Sequence, residues 1–311
     1  MTSAFVFPGQ GSQSIGMLSQ LAAVDDTVQQ TFASASAVLG YDLWQLVSSG
    51  PVETLNTTAY TQPAMLAAGV ATWRLWLRHG GVRPQIVCGH SLGEFTALVA
   101  AGALDFADAI DLVRHRGELM QQAVPAGVGG MAAVLGLDDE AVVGACAEAA
   151  GSEVVQAVNY NSPGQIVIAG HLSAVHRAIE ACKARGAKRA VLLPMSVPAH
   201  SSLMQPAAQL FGQRLASLQI NRPEIAFYSP VDAALHSEVD DLRGLLQTQL
   251  ASPVRWSDLV RTLTAQGVTR LVECGPGKVL TSLNRRIDKR PELECIALED
   301  PAALTAAGAL S

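Results

Sequence analysis

Charge is scarce in this chain of 311 residues: Asp, Glu, Lys and Arg make up 15% of it, where a soluble domain carries about 25%. Such a deficit is explained by a large buried interior or by insertion in a membrane. Long apolar runs are missing too. The longest uncharged stretches, Leu55–Trp73, Leu119–Leu137, Val154–His176 and Ala190–Gln213, all contain proline together with glycine or amide residues. None approaches the roughly 20 continuous apolar residues of a spanning helix, so no membrane partner is expected. A basic excess is absent, with 21 basic against 27 acidic residues and a net charge of −6; no nucleic-acid partner is expected. The N-terminal residues Met1–Pro8 show neither a basic leader nor a long apolar run, so no export signal is expected. The five cysteines, Cys88, Cys146, Cys182, Cys274 and Cys295, are odd in number and widely spaced, without a Cys-x-x-Cys or zinc-type cluster. Reduced thiols in a cytoplasmic protein are expected, with no disulfide scaffold and no metal site.

A large interior is within reach, because a chain of this size hides roughly 75% of its unfolded surface. Short apolar runs at Ala4–Phe7, Gln85–Gly89, Ile225–Tyr228 and Arg270–Glu273 alternate with helical patterns such as Leu66–His79 and Trp256–Gln266. Pro8-Gly9 stops the first run, and a helical pattern follows the second at once. This alternation predicts an α/β fold with a mostly parallel sheet. The middle of the chain has a different order: Met131–Leu137, helix Asp139–Ala149, Val154–Val158, Gln165–Ala169, helix Ser173–Arg185, Arg189–Leu193. That is the β-α-β-β-α-β order of a ferredoxin-like unit. The expected organisation is a large α/β domain formed by residues 1–127 and 195–311, interrupted by an inserted subdomain at 128–194, with the site in the cleft between them.

Gly89-His90-Ser91-Leu92-Gly93 fits the G-x-S-x-G elbow, and it stands where that motif has meaning, between an apolar strand and an amphipathic helix carrying Leu92, Phe95, Leu98 and Val99. Small flanking residues permit the sharp reversal. The hydroxyl is thereby placed at a helix N-terminus, where free N–H groups favour a developing oxyanion. Ser91 is thus either a nucleophile or a helix cap, and the context favours the nucleophile. A serine nucleophile needs a base, usually histidine. Of the seven histidines, His200 follows an extended Pro194–Ala199 segment where the insertion returns to the large domain; it is the expected base, against the alternative of an ordinary loop histidine. Asp105, Asp108 and Asp111 crowd one helix between serine and histidine, and none stands out as a third triad member.

In the helix read at Asp105–Val124, steps of about 100° per residue place Leu112, Val113, Leu119, Met120 and Val124 on one arc. Arg116 falls inside it, while Arg114 points away. A guanidinium on an apolar face is costly unless paired, and its partner is either an acidic ligand or a carboxylate elsewhere in the fold. Two glycine-rich stretches are not phosphate loops: Ser14 takes the third glycine position after Gly9 and Gly11, and Val272 and Val279 break the Walker spacing around Gly277-Lys278. No cofactor is expected.

Phe7–Gln13, Tyr60–Pro63, Gly89–Glu94, Arg116-Gly117, Asn161–Gln165, Ser196–His200, Gln249 before Ser252–Val254, and Gly275–Lys278 together carry a resemblance. Over nearly its whole length the chain resembles the bacterial malonyl-CoA:acyl carrier protein transacylases of type II fatty acid synthesis. The resemblance implies a hydrolase-like large domain, a ferredoxin-like small one, and malonyl-CoA and holo acyl carrier protein as partners. It also implies ping-pong transfer through a malonyl ester on Ser91 with His200 as base. Backbone N–H groups of Gln10 and Leu92 would meet the oxyanion, Arg116 the malonyl carboxylate, and the main-chain carbonyl of Gln249 would orient His200 in place of an acid. Gln62, His90 and Asn161 are further expected lining residues. The chain departs from the family at Ala199, where relatives often carry serine, and at Ser229-Pro230; neither position is expected to touch the chemistry.

Three functions stand against one another. A serine esterase or thioesterase requires a carboxylate behind His200, and a non-catalytic nucleotide-binding domain requires the fingerprint that Ser14 breaks. The acyltransferases of polyketide or malonate decarboxylase systems share most of the transacylase motifs. Basic clusters at Lys183/Arg185/Lys188/Arg189 and Arg285/Arg286/Lys289/Arg290 are either steering surfaces for an acidic partner or ordinary helix ends.

Overall fold

The computed structural model describes residues 2–195 and 197–308. Met1, Ser196 of the Ser196–His200 motif and residues 309–311 of the Ala-rich tail lie outside the described residues. Ten strands are present among those described: β1 Thr2–Phe7, β2 Ile86–Gly89, β3 Gly129–Leu135, β4 Val155–Ser162, β5 Gln165–His171, β6 Arg189–Leu192, β7 Ala226–Ser229, β8 Ala234–His236, β9 Val268–Glu273 and β10 Glu294–Ala297. Six form one sheet in the order β10-β9-β1-β2-β7-β8, parallel throughout except for the β7–β8 pair at one edge.

The sheet is buried on both faces, and the period of two shows in its core. Phe5, Phe7, Val87 and Phe227 join one apolar cluster with the helix Thr58–Arg78, while Ala4, Val6, Ile86 and Cys88 join another with the helices Trp256–Ala265 and Val279–Ile287. Phe5 meets Trp73 and Trp76 edge-on at 5.6 and 5.2 Å between ring centroids.

The other four strands form an antiparallel sheet in the order β4-β5-β3-β6. With the helices Asp139–Ala150 and Leu172–Ala184 on it, this is the ferredoxin-like pattern with its own core, including Val134, Val142, Ile168 and Val175. The antiparallel sheet is stitched to the loop before the helix Trp256–Ala265: Tyr160 N–H donates to the Val254 carbonyl (2.9 Å) and Val254 N–H to the Val158 carbonyl (2.8 Å).

Elements the sequence pattern did not assign include the helices Thr27–Leu39 and Gln205–Ala216, the edge strands β8 and β10, and the first turns of the helix read from Leu66, which starts at Thr58 and carries Pro63 inside it. Gly117 explains how those turns are held. A Cβ on it would lie 2.7 Å from the Cα of Ala59, so only glycine lets the helix Phe106–Gln122 approach so closely. All five cysteines are buried and free.

Candidate active site

Register brings the loops of the site together. Phe7 pairs with Gly89, and Val6 with Glu273, so the turns after β1, β2 and β9 emerge side by side at the carboxyl ends of parallel strands, where such sheets hold their ligands. The turn after β2 leaves no room for side chains. A Cβ on Gly89 would sit 1.9 Å from the carbonyl carbon of Gly93, and one on Gly93 would sit 2.0 Å from the Phe7 oxygen. Between them Ser91 is held at φ 52°, a left-handed conformation that costs a non-glycine residue about 1–3 kcal/mol and turns its hydroxyl out of the bend.

Ser91 Oγ lies 2.7 Å from His200 Nε2. His200 also has a left-handed backbone, φ 65°, and its N–H donates to the Leu250 carbonyl at 3.0 Å. The ring is fixed by two main-chain carbonyls, Gln249 O at 2.9 Å and Ser252 O at 3.1 Å from Nδ1. Those acceptors require Nδ1 to carry the proton, leaving Nε2 free to accept one from the serine. Burial first, and the Arg116 charge second, push the imidazole down to about 3, so it is an uncharged base at neutral pH. No carboxylate contacts it among the described residues. Asp105 caps the helix Phe106–Gln122, Asp111 pairs with Arg114 and Arg214, and Asp108 is exposed.

Arg116 is 1% exposed, the second largest fully buried side chain. Its Nη1 donates to Gln62 Oε1 (3.0 Å), and its Nη2 to Gln249 Oε1 (2.7 Å) and to Ser91 Oγ (3.3 Å); Nε is buried without a partner. Phe95 lies 5.5 Å beneath the guanidinium. Desolvation lowers the guanidinium to about 10, against the opposing charge of Glu94, and it therefore remains a cation. Among the described residues it forms no ion pair. A buried fork with no carboxylate on it has donors placed to take one. By contrast Arg114, on the opposite face, is paired with Asp111 and Glu118.

These groups open on a cavity of about 460 Å3 between the two sheets, lined by Gln10, His90, Ser91, Leu92, Arg116 and His200 on one side and by Met131, Asn161, Gln165 and Val167 on the other. His90 Nε2 is 2.8 Å from Asn161 Oδ1. Gln10 and Leu92 sit where the loop after β1 and the N-terminus of the helix Gly93–Ala100 face the cavity. Gln62 is not a lining residue: its amide is turned to Arg116 and the Met120 sulfur, behind the wall. Ser229 lies off the reacting atoms: its hydroxyl donates to buried Glu94 Oε2 at 2.6 Å, within the polar cluster behind Arg116.

Sequence reasoning missed that cluster. The Gln249 side chain donates through Nε2 to the Ser91 carbonyl (2.9 Å) and to Glu94 Oε1 (2.8 Å), while its Oε1 accepts from Arg116. Burial pushes Glu94 up to about 7, against the bonds from Ser229 and Gln249 and the charge of Arg116 that pull it down. In the basic clusters, Lys183, Arg185 and Arg290 are paired with carboxylates, and Arg286 reaches Gln165 Oε1 at the cavity rim (2.7 Å).

Comparison with known proteins follows the same lines. Residues 4–294 match the acyl transferase domain family. The chain is 54% identical to the malonyl CoA-acyl carrier protein transacylase of Escherichia coli strain K12 over 304 residues, 98% of each chain. Its fold superposes with a TM-score of 0.95 on the crystal structure of an acyl carrier protein S-malonyltransferase from Vibrio cholerae, 55% identical, covering 98% of this chain and 99% of that one. A malonyl-transacylase solved in complex with its type II PKS acyl-carrier protein gives a TM-score of 0.97 at 51% identity, covering 99% of both chains.

Proposed function

The chain belongs to the acyl transferase domain family, and from that premise we propose that it transfers malonyl from malonyl-CoA to the phosphopantetheine thiol of acyl carrier protein, supplying fatty acid synthesis. The observation that carries the acid-specific half of this reading is Arg116, a desolvated cation 3.3 Å from the serine hydroxyl with no carboxylate in contact among the described residues.

The transfer proceeds in two half-reactions at one site. Ser91 Oγ attacks the thioester carbonyl while its proton passes to His200 Nε2. The oxyanion is met by the N–H groups of Leu92 and Gln10, at the positive end of the helix that starts beside it. Collapse breaks the C–S bond, and the CoA sulfur takes the proton from His200. The malonyl ester remains, its carboxylate on Arg116. The carrier thiol then gives its proton to His200 and attacks the ester carbonyl; collapse returns the proton to Ser91 as the malonyl thioester leaves. His200 needs no acid behind it, because the carbonyls of Gln249 and Ser252 already fix its tautomer. An esterase of the serine-histidine-acid kind would place a carboxylate there.

Intact-protein mass measurement after incubation with malonyl-CoA tests the first half-reaction. One malonyl adduct is expected on the wild type and none on Ser91→Ala; an adduct that persists on the alanine variant rejects the nucleophile. Adding holo carrier protein should then move the adduct to the carrier, whereas loss to water would reject transfer in favour of hydrolysis.

A further inference from the structure

Glu94 follows Ser91 by three residues and is wholly buried, as is Gln249. A carboxylate at that depth needs a reason, since one placed in an apolar interior without charge compensation is strongly disfavoured. Its compensating charge is Arg116, yet the two do not touch: the amide of Gln249 lies between them, accepting from Arg116 at 2.7 Å and donating to Glu94 at 2.8 Å.

The orientation of that amide is dictated. Nε2 faces the Ser91 carbonyl, which can only accept, and Glu94 Oε1, which accepts when ionised, while the guanidinium can only donate, so Oε1 must face Arg116. Glu94 is held in turn by the Ser229 hydroxyl, whose own oxygen accepts the N–H of Val231 at 3.1 Å. From the guanidinium the chain of bonds runs through Gln249, Glu94 and Ser229 and ends on the backbone.

We propose that Glu94 is a specificity-determining residue for the acyl group: it supplies the counter-charge of Arg116 from across the Gln249 amide, so that the buried cation is stabilised while its guanidinium stays clear of any carboxylate until the substrate brings one. A carboxylate in direct contact would occupy the fork bidentately and compete with the acid to be bound. The spacer prevents this. An amide oxygen takes one N–H, the unpartnered Nε and the long 3.3 Å contact to Ser91 leave donors to spare, and the anion still acts through a low-dielectric interior. This rests on the transfer reading above, in which Arg116 receives the malonyl carboxylate.

The test exchanges the two side chains. In the double variant Glu94→Gln/Gln249→Glu, Ser229 can donate to the new amide oxygen, the new amide can donate to the new carboxylate, and net charge is unchanged. The anion, however, moves into contact with Arg116. The oxygen that replaces Nε2 can no longer donate to the Ser91 carbonyl, so general activity will drop, and the readout is therefore a ratio. Initial rates of Ser91 labelling by malonyl-CoA and by acetyl-CoA are measured on the same protein at about pH 8, where Glu94 is ionised.

The malonyl-to-acetyl ratio is expected to fall by about 100-fold or more, the scale of occupying a buried cation that must then be vacated. A fall of less than about tenfold, no more than an exposed ion pair gives, overturns the proposal. If the exchanged protein shows no thermal unfolding transition, Gln249→Glu alone, which also sets a carboxylate against Arg116, is held to the same criterion. Failure of the underlying reading looks different: the wild type itself would then take no malonyl label.

Discussion

Replacing Arg116 by alanine separates two roles that the geometry assigns to one side chain, and each can be given a size. For the fold, Arg116→Ala strips the donor from Gln62 Oε1 and Gln249 Oε1, each left buried at a cost of about 1–3 kcal/mol. It also removes a guanidinium stacked over Phe95, worth about 1 kcal/mol. Relief of the arginine's own desolvation offsets part of this, and a net loss of about 2–4 kcal/mol in unfolding free energy is expected. For the chemistry, a malonyl carboxylate would enter the site with no partner. Losing one member of a buried pair costs about 3–5 kcal/mol, or about two to four orders of magnitude in rate. An acetyl group makes no such demand; its transfer should lose only what the 3.3 Å contact to Ser91 contributes, about tenfold. The assay is the rate of Ser91 labelling by malonyl-CoA and acetyl-CoA, with chemical denaturation run on the same protein. Equal losses for both acyl groups would refute the carboxylate role and reduce Arg116 to a support for the serine.

Three further outcomes follow from the geometry. Gly93→Ala forces a methyl to within 2.0 Å of the Phe7 carbonyl; a loss of about 3 kcal/mol or more is expected, seen as a lower melting temperature, and a change below about 0.5 kcal/mol would mean the elbow is not this tight. His200 binds its proton at about 3 when folded and at an ordinary value near 6.5 when unfolded, so between those values the unfolded chain binds more protons and stability falls with falling pH. From about pH 7 to about pH 5 this amounts to about 2 kcal/mol, and His200→Gln should remove that share of the slope in denaturation curves; an unchanged slope would contradict it. His200→Ala should slow acylation of Ser91 by about three orders of magnitude or more, and a loss under tenfold would exclude His200 as the base.

The parts legible in the sequence were those written in local chemistry. Gly89 and Gly93 announced the bend because no other residue fits it, and Arg116 declared itself by standing on an arc of Leu112, Val113, Leu119 and Met120. The β-α-β-β-α-β order of the middle segment was readable from alternating run lengths. What stayed hidden was set by distance along the chain. Gln249 touches Arg116 and Glu94 across 133 and 155 residues, and nothing in its neighbours hints that its amide is as important as its carbonyl. Glu94 appeared only as the last letter of the Gly89–Glu94 motif, and an acid in the first turn of a helix, where negative charge is favourable anyway, raises no alarm. Ser229 was set aside as a family departure, yet it anchors that same acid. The strands β8 and β10 are short and lie at the sheet's edges, where pairing with a neighbour rather than side-chain pattern decides their conformation, and Pro63 masked helical turns that Gly117 alone makes possible.

The seam between the antiparallel sheet and the Val254 loop has a mechanical consequence. The bonds joining Val158 and Tyr160 to Val254 lie two residues from Ser252, whose carbonyl grips the ring of His200. The cleft is therefore bound like a book along one spine, and the proton acceptor is sewn into the binding. Prising the covers apart on that side would pull the imidazole out of line, so the spine has to stay shut for the serine to give up its proton.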